Sequence, residues 1–477
     1  MSIAAIVLAA GKGTRMKSAL PKVLHEAAGK PLLLWPVEAA RSVGGNPLVV
    51  VIGHGAEQVE RLLQDRFAGA AGKAGGEVGT AMQADQKGTG HAVMQAMPAL
   101  EGFAGTVLIL YGDTPLLTAA SLQRLLDDKA RAAAPLALWT TTLSDPTGYG
   151  RIVRAADGSV DRIVEHKDAS PAERTIREVN PGCYAVDASF LRASLPQLSN
   201  HNAQGEYYLT DLIALARAGG HVVVGVEVDP EETLGVNDRV QLAEVSAVLR
   251  RRVQRRAQLA GVTIVDPAST HIDDDVSFGR DVVVEPGVML RGRTRIGDGV
   301  RIGVGCVIQD TVIEAAALVH PYTLCDGATV GSGAIVGPFA RLRPDTVLLE
   351  GAHVGNFVEL KKTRLGRGSK ANHLAYLGDS EIGSGVNIGA GTITCNYDGA
   401  GKYRTQLGDN VFVGSNSTLV APIEVQAGAY IAAGSVVTEP VPQDAVAFGR
   451  ARQSNKEGHA PIVRERNAAR AKKKPKV

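Results

Sequence analysis

A run of small and basic residues near the amino terminus, Leu8-Ala9-Ala10-Gly11-Lys12-Gly13-Thr14-Arg15-Met16 followed by Pro21-Lys22, has the composition needed to handle phosphate. Glycines let backbone N–H groups approach phosphate oxygens, and Arg15 and Lys22 can neutralise charge growing on a departing pyrophosphate. The run lacks the residue order of a P-loop, and Met16 stands where a dinucleotide fingerprint needs its third glycine. Asp113 follows an apolar stretch, residues 107–110. A carboxylate at that place can hold Mg²⁺, which binds phosphates through one or two protein oxygens and retained waters. A second group of reactive residues lies far downstream, where His373 is preceded by Arg343 and Lys361 and followed three residues later by Tyr376. An imidazole titrates near neutral pH and suits general-base work.

The first run resembles that of the sugar-phosphate nucleotidyltransferases. Three further segments extend the likeness: Gln83-Ala84-Asp85-Gln86-Lys87-Gly88-Thr89-Gly90-His91-Ala92 looks like the family's base-recognition segment, Tyr111-Gly112-Asp113 like its metal-binding turn, and Gly235-Val236-Asn237 like the segment with its second metal ligand. Gly148-Tyr149-Gly150-Arg151, Val164-Glu165-His166 and Val179-Asn180 match the parts that hold the sugar. Downstream, the segments around Arg343, Glu359, His373, Asn387 and Asn396 complete a resemblance to the bifunctional N-acetylglucosamine-1-phosphate uridylyltransferases and glucosamine-1-phosphate acetyltransferases, covering almost the entire chain.

That resemblance implies two sites. At the first, Leu8, Ala9, Ala10, Gly11, Lys22, Gln83, Gly88, Thr89, Tyr111, Gly112, Asp113, Gly150, Glu165, Asn180 and Asn237 would bind nucleotide and sugar. Asp113 and Asn237 would hold Mg²⁺, with Arg15 and Lys22 on the phosphates. At the second, Arg343, Lys361, Tyr376 and Asn387 would bind the sugar phosphate, while Ala390, Asn396, Tyr397, Ser415, Ala433 and Arg450 would line the acetyl-CoA groove. His373 would be the base, oriented by Glu359. An amine must lose a proton to attack a thioester, and N–H groups at Ala390 or a hydroxyl at Ser415 can stabilise the oxyanion. The substrates implied are UTP, acetyl-CoA and glucosamine 1-phosphate, and the implied assembly is a homotrimer. The sequence departs from the family pattern at Pro181, Leu234, Asn372 and Ala375. A second reading keeps only the nucleotidyltransferase and gives the C-terminal half a structural or regulatory role, which would leave His373, Lys361 and Tyr376 without a purpose.

The elements that must position these residues follow from periodicity. Over residues 1–238, apolar runs at 3–9, 47–52, 106–110, 136–141 and 221–227 read as strands, alternating with helical patterns at 31–43 and 116–132. This predicts a Rossmann-like α/β domain with a mostly parallel sheet. Residues 239–261 read as a charged connecting helix. Over 262–450 aliphatic residues recur every six positions, from Ile272, Phe278 and Val284 to Ile431 and Val437. A triangular coil with three six-residue sides produces that period, so a left-handed parallel β-helix is expected, with glycines turning its corners. Residues 365–380 and 393–403 read as excursions from it, and the basic tail within 451–477 as disordered from Arg464 onward.

Composition agrees with such a solenoid: 477 residues include 55 Gly and only 4% aromatics. The 51 Lys plus Arg against 49 Asp plus Glu leave no overall field for nucleic acid or membrane. Four scattered cysteines suggest neither zinc nor a disulfide framework, so a cytoplasmic protein is expected.

Overall fold

The computed structural model describes residues 2–67 and 78–472. They fall into two compact units, divided near Leu259, with His271–Asp275 belonging to the first.

In the first unit Ile3–Leu8 is apolar throughout and buried on both faces, as a central parallel strand must be. Gly45–Ile52 and Thr106–Tyr111 flank it in parallel, and Val78–Met82 adds to the outer side. Side chains alternate across the sheet. Ala4 and Ile6 meet Val93, Leu191 and Leu212 on one face, while Ala5 and Val7 meet Val37, Val59 and Leu122 on the other. The five expected strands are present, but the sheet is mixed. Tyr184–Asp187 runs antiparallel between Thr106–Tyr111 and Leu136–Thr142, and Glu178–Asn180, Gly150–Arg154 and Val160–Val164 continue antiparallel beyond. These four strands are only three to five residues long, and Gly150–Arg154, Val160–Val164 and Glu178–Asn180 mix polar with apolar residues, so they lack the long apolar run that reveals a central strand.

The helix Arg239–Leu259 buries Val245, Val248 and Leu249 against Met16, Leu32, Leu116 and Val236. Its arginines are largely engaged: Arg252 pairs with Glu231 at 2.9 Å, and Arg256 with Asp274 at 2.9 Å.

In the second unit, short strands stack in three parallel sheets, each strand pairing with the one a coil later. The inward residues Val284, Leu290, Ile296, Ile302 and Ile308 are all buried. Ile302→Ala should therefore cost about 2–5 kcal/mol, since the rigid stack cannot close over the missing atoms. Urea unfolding of this unit checks it.

The apparent slip after Ile308 is a change of side length. Ile313, Val319, Cys325 and Val330 are the inward residues there, so two sides have five residues. Left-handed Asp310 and Gly327 make those tighter corners. For the same reason residues 365–380 are not an excursion. Leu365, Ala371 and Leu377 continue the core, with strands at Arg364–Leu365, Lys370–His373 and Tyr376–Gly378. A true excursion begins after Ile393–Cys395 and returns at Thr405–Leu407.

Glycines serve two needs. Gly297, directly after an inward residue, lies where a Cβ would sit 2.6 Å from the Ala315 backbone nitrogen of the next coil; the left-handed position is Gly299, two residues on. At the C-terminus His459–Lys472 is an exposed helix, contrary to the disorder expected from Arg464 onward; its alanines and long basic side chains favour helix. Residues 473–477 of that expectation lie outside the described residues.

Candidate functional sites

The first site opens where the parallel strands end, as ligand sites of such sheets do. Leu8 ends its strand, and Ala9, Ala10 and Gly11 carry the chain over a cleft of 230 Å³. Lys22, Gln83, Gly88, Thr89, Tyr111 and Asp113 line the same cleft. Gly112 lies between the last two, its N–H donating to Leu8 O at 2.9 Å. Gly13 is left-handed, and a Cβ there would lie 2.6 Å from Lys22 Cβ, so glycine lets the lysine stem cross the turn. Gln83 is buried and donates through Nε2 to Gly88 O at 3.1 Å, which fixes its amide at the wall of the cleft.

Lys22 Nζ pairs with Asp113 and lies 3.4 Å from Asn237 Oδ1. Two hard oxygen donors thus face one cation position. Among the described residues no group of three or more His, Cys, Asp or Glu could hold a metal. One carboxylate and one amide oxygen, however, match a divalent ion that takes its other ligands from phosphate and water.

Gly150 and Glu165 come together: a Cβ on Gly150 would lie 3.4 Å from Glu165 Oε1. Asn180 is buried, its Nδ2 donating to Tyr184 Oη at 2.6 Å. Removal from water pushes the Glu165 carboxyl up, and Asp168, Asp211 and Glu206 add to the rise against a hydrogen bond from Thr210. A raised folded-state value means stability is full at low pH and falls as pH rises through the carboxylate range. Glu165→Gln should therefore melt higher than the parent above about pH 5 and alike below about pH 4. Equal melting at both would show that Glu165 is not strained by its setting.

Arg15 is exposed on the Thr14–Met16 turn and does not line the cleft. Gln86 and Ala92, both in the segment 83–92 that resembles the base-recognition segment, line it too, as do Val23 and Glu206, which no sequence motif marks. Gln86 donates to Ala10 O at 2.6 Å, and Glu206 lies 118 positions beyond Gly88, a contact no local spacing announces.

The second site lies at one corner of the β-helix. Asn356 and His373 are paired in adjacent coils, Gly391 N donates to His373 O, Asn416 N to Ala390 O, and Gly434 N to Ser415 O. Asn356, His373, Ala390, Ser415 and Ala433 thus stack in a column running along the solenoid. Arg450 adjoins its far end, with Cδ 3.7 Å from the position a Cβ on Gly434 would take. From His373 onward the members of the column are 17, 25 and 18 residues apart, the lengths of successive coils.

On the adjoining sheet Arg343 donates to Glu359 Oε1 at 2.9 Å, and Lys361 Nζ lies 3.5 Å from Asp379. Tyr376 is in register with Glu359 and Ile393, and Asn387 with Lys370 and Phe412. Asn396 donates to Asp379, and Tyr397 is exposed on the excursion. Glu359 holds arginines, Arg343 and Arg341, and not the histidine. The His373 ring bonds through Nδ1 to Asn356 Oδ1 at 2.9 Å. Of the departures, Ala375 is buried as a small coil residue, while Asn372 leaves its Oδ1 buried without a partner.

No helix among the described residues is long and apolar enough to cross a membrane. Residues 5–180 match the MobA-like NTP transferase domain, and residues 404–439 the hexapeptide repeat of succinyl-transferase. The chain is also similar to three proteins each named bifunctional protein GlmU. That of Anaeromyxobacter dehalogenans (strain 2CP-C) is 55% identical over 96% of this chain and 92% of its own. That of Trichlorobacter lovleyi is 52% identical over 95% and 97%, and that of Sorangium cellulosum 51% over 99% and 98%. With both halves matched in order and at these identities, the chain belongs to the family of the bifunctional protein GlmU.

Proposed function

We propose that the chain makes UDP-N-acetylglucosamine in two steps at two sites. At the corner column, the amine of glucosamine 1-phosphate attacks the thioester carbonyl of acetyl-CoA. His373 takes the proton the amine loses, the C–S bond breaks, and the departing thiolate receives that proton from the imidazolium. Arg343, Lys361, Tyr376 and Asn387 hold the sugar phosphate. Ala390, Ser415 and Ala433 follow the cofactor down the column toward Arg450, with Asn396 and Tyr397 on its flank. The Ala390 N–H or the Ser415 hydroxyl stabilises the oxyanion.

In the cleft of the first unit, a phosphate oxygen of N-acetylglucosamine 1-phosphate attacks the α-phosphorus of UTP in line, and the bond to the β-phosphate breaks to release pyrophosphate. Such transfers depend on positioning and charge neutralisation more than on a strong base. Gln83, Gly88 and Thr89 recognise the uracil; Leu8, Ala9, Ala10, Gly11, Tyr111 and Gly112 cradle the nucleotide through the backbone and apolar surface. Gly150, Glu165 and Asn180 shape the sugar end. Arg15, exposed on the turn after Gly11, and Lys22 act on the phosphates. Asp113 and Asn237 are the protein ligands of Mg²⁺, which when bound supplies positive charge to the phosphate oxygens.

The observation that carries the two-activity reading is the placement of His373 between Asn356 and Ala390 in one column, beside Arg343 and Lys361. An architectural solenoid needs none of these. A homotrimer is supported by a stripe of apolar corner residues next to His373. Tyr322, Phe339 and Phe357 stack at 5.3 and 5.4 Å, Leu374 follows one coil on, and all four are exposed. A stripe of this kind marks a protein-binding surface. A cytoplasmic setting is supported by four cysteines, none in a disulfide.

Product formation tests the reading. With glucosamine 1-phosphate, acetyl-CoA, UTP and Mg²⁺, the protein should form UDP-N-acetylglucosamine, and omitting acetyl-CoA should stop it. Protein that accepts only N-acetylglucosamine 1-phosphate would have the single activity.

A further inference from the structure

We infer that Asn356 is the positioning residue that fixes the tautomer of His373, a step that rests on the proposed acetyl transfer. An imidazole acts as a base only through a nitrogen that has a free lone pair, and a neutral ring carries its one proton on either Nδ1 or Nε2. Asn356 Oδ1 lies 2.9 Å from His373 Nδ1. An amide oxygen accepts only, so Nδ1 must be the protonated nitrogen and Nε2 is left as the base.

The local fold holds this pair in place. Asn356 and His373 are register partners in neighbouring coils, and Leu374 N donates to Asn356 O at 3.1 Å. Gly355, just before Asn356, lies where a Cβ would fall 2.1 Å from Asn372 O, so the two coils approach closely only because that residue is glycine. Left-handed Phe357 and Leu374 turn the corner directly after Asn356 and His373. Both polar side chains therefore leave the solenoid at the same corner, one coil apart. Glu359, three positions after Asn356, is held by Arg343 and Arg341. A neutral amide therefore does the orienting here, where a carboxylate does it in the serine-protease triad.

The experiment combines steady-state kinetics with ¹⁵N imidazole NMR of the full-length protein at a pH where the ring is neutral. The His373 resonances are identified by their loss in His373→Gln. Wild-type protein should show the Nδ1–H tautomer. Asn356→Leu should shift the ring toward Nε2–H and lower kcat of acetyl transfer about 10–100-fold, with both KM values within about 2-fold and uridylyl transfer unchanged. Asn356→Asp, which also accepts from Nδ1–H, should keep the tautomer and recover most of kcat. An Nε2–H ring in the wild type, or a wild-type kcat in Asn356→Leu, overturns the inference. If Asn356→Leu does not fold, the wild-type and Asn356→Asp spectra decide it: Nδ1–H in both supports the role, and Nε2–H in either overturns it. Acetyl transfer that survives His373→Gln instead overturns the base itself, which separates the two failures.

Discussion

Replacing His373 by alanine should lower acetyl transfer by about 10²–10⁴-fold, the range set by losing a positioned general base, while uridylyl transfer stays at the parental rate. The size of the effect follows from where the ring sits. It is exposed at the corner of the solenoid, one coil above Ala390 and beside the sheet that carries Arg343, Lys361 and Tyr376. Its removal leaves no cavity in the core, so folding should not suffer. CoA release measured with a thiol reagent reads the first activity, and pyrophosphate release the second. A variant that loses both while remaining folded would contradict separate sites.

The second large effect is expected at Lys22. Its ammonium lies between Asp113 and Asn237 at the mouth of the first cleft, with the stem packed over Gly13. Lys22→Ala removes the one basic side chain that lines the cleft among the described residues. Charge developing on the leaving pyrophosphate then loses a fixed partner, and kcat of uridylyl transfer should fall about 10²–10³-fold. Acetyl transfer should be unaffected. Asp113→Asn should act differently, raising the Mg²⁺ concentration needed for half-maximal rate; an unchanged Mg²⁺ titration would remove Asp113 from the metal site.

Much of this arrangement is readable along the chain because its signals are local. The strand ending at Leu8 and the turn at Gly11 are contiguous, and the six-residue period names inward residues such as Ile296 and Val413 that are indeed buried. What escapes the sequence is non-local or depends on side length. Cys325 and Ala371 are inward residues, yet five-residue sides shift them off the six-residue count. Glu206 reaches the first cleft from a distant loop. The family resemblance points to Glu359 as the partner of His373, but a carboxylate two positions past the corner belongs to the next sheet, whereas Asn356 is at the same corner one coil earlier. The short antiparallel strands around Asn180 follow the same rule, since they show no apolar run.

The central claim, two independent chemistries on one chain, is tested most directly by mixing variants. Purified His373→Ala and Lys22→Ala proteins are each given glucosamine 1-phosphate, acetyl-CoA, UTP and Mg²⁺, alone and together, and UDP-N-acetylglucosamine is followed over time. Each variant alone should form almost none, and the mixture should restore synthesis, because Lys22→Ala still releases N-acetylglucosamine 1-phosphate that His373→Ala can consume. A mixture as inert as its parts, with both proteins folded, would contradict the account.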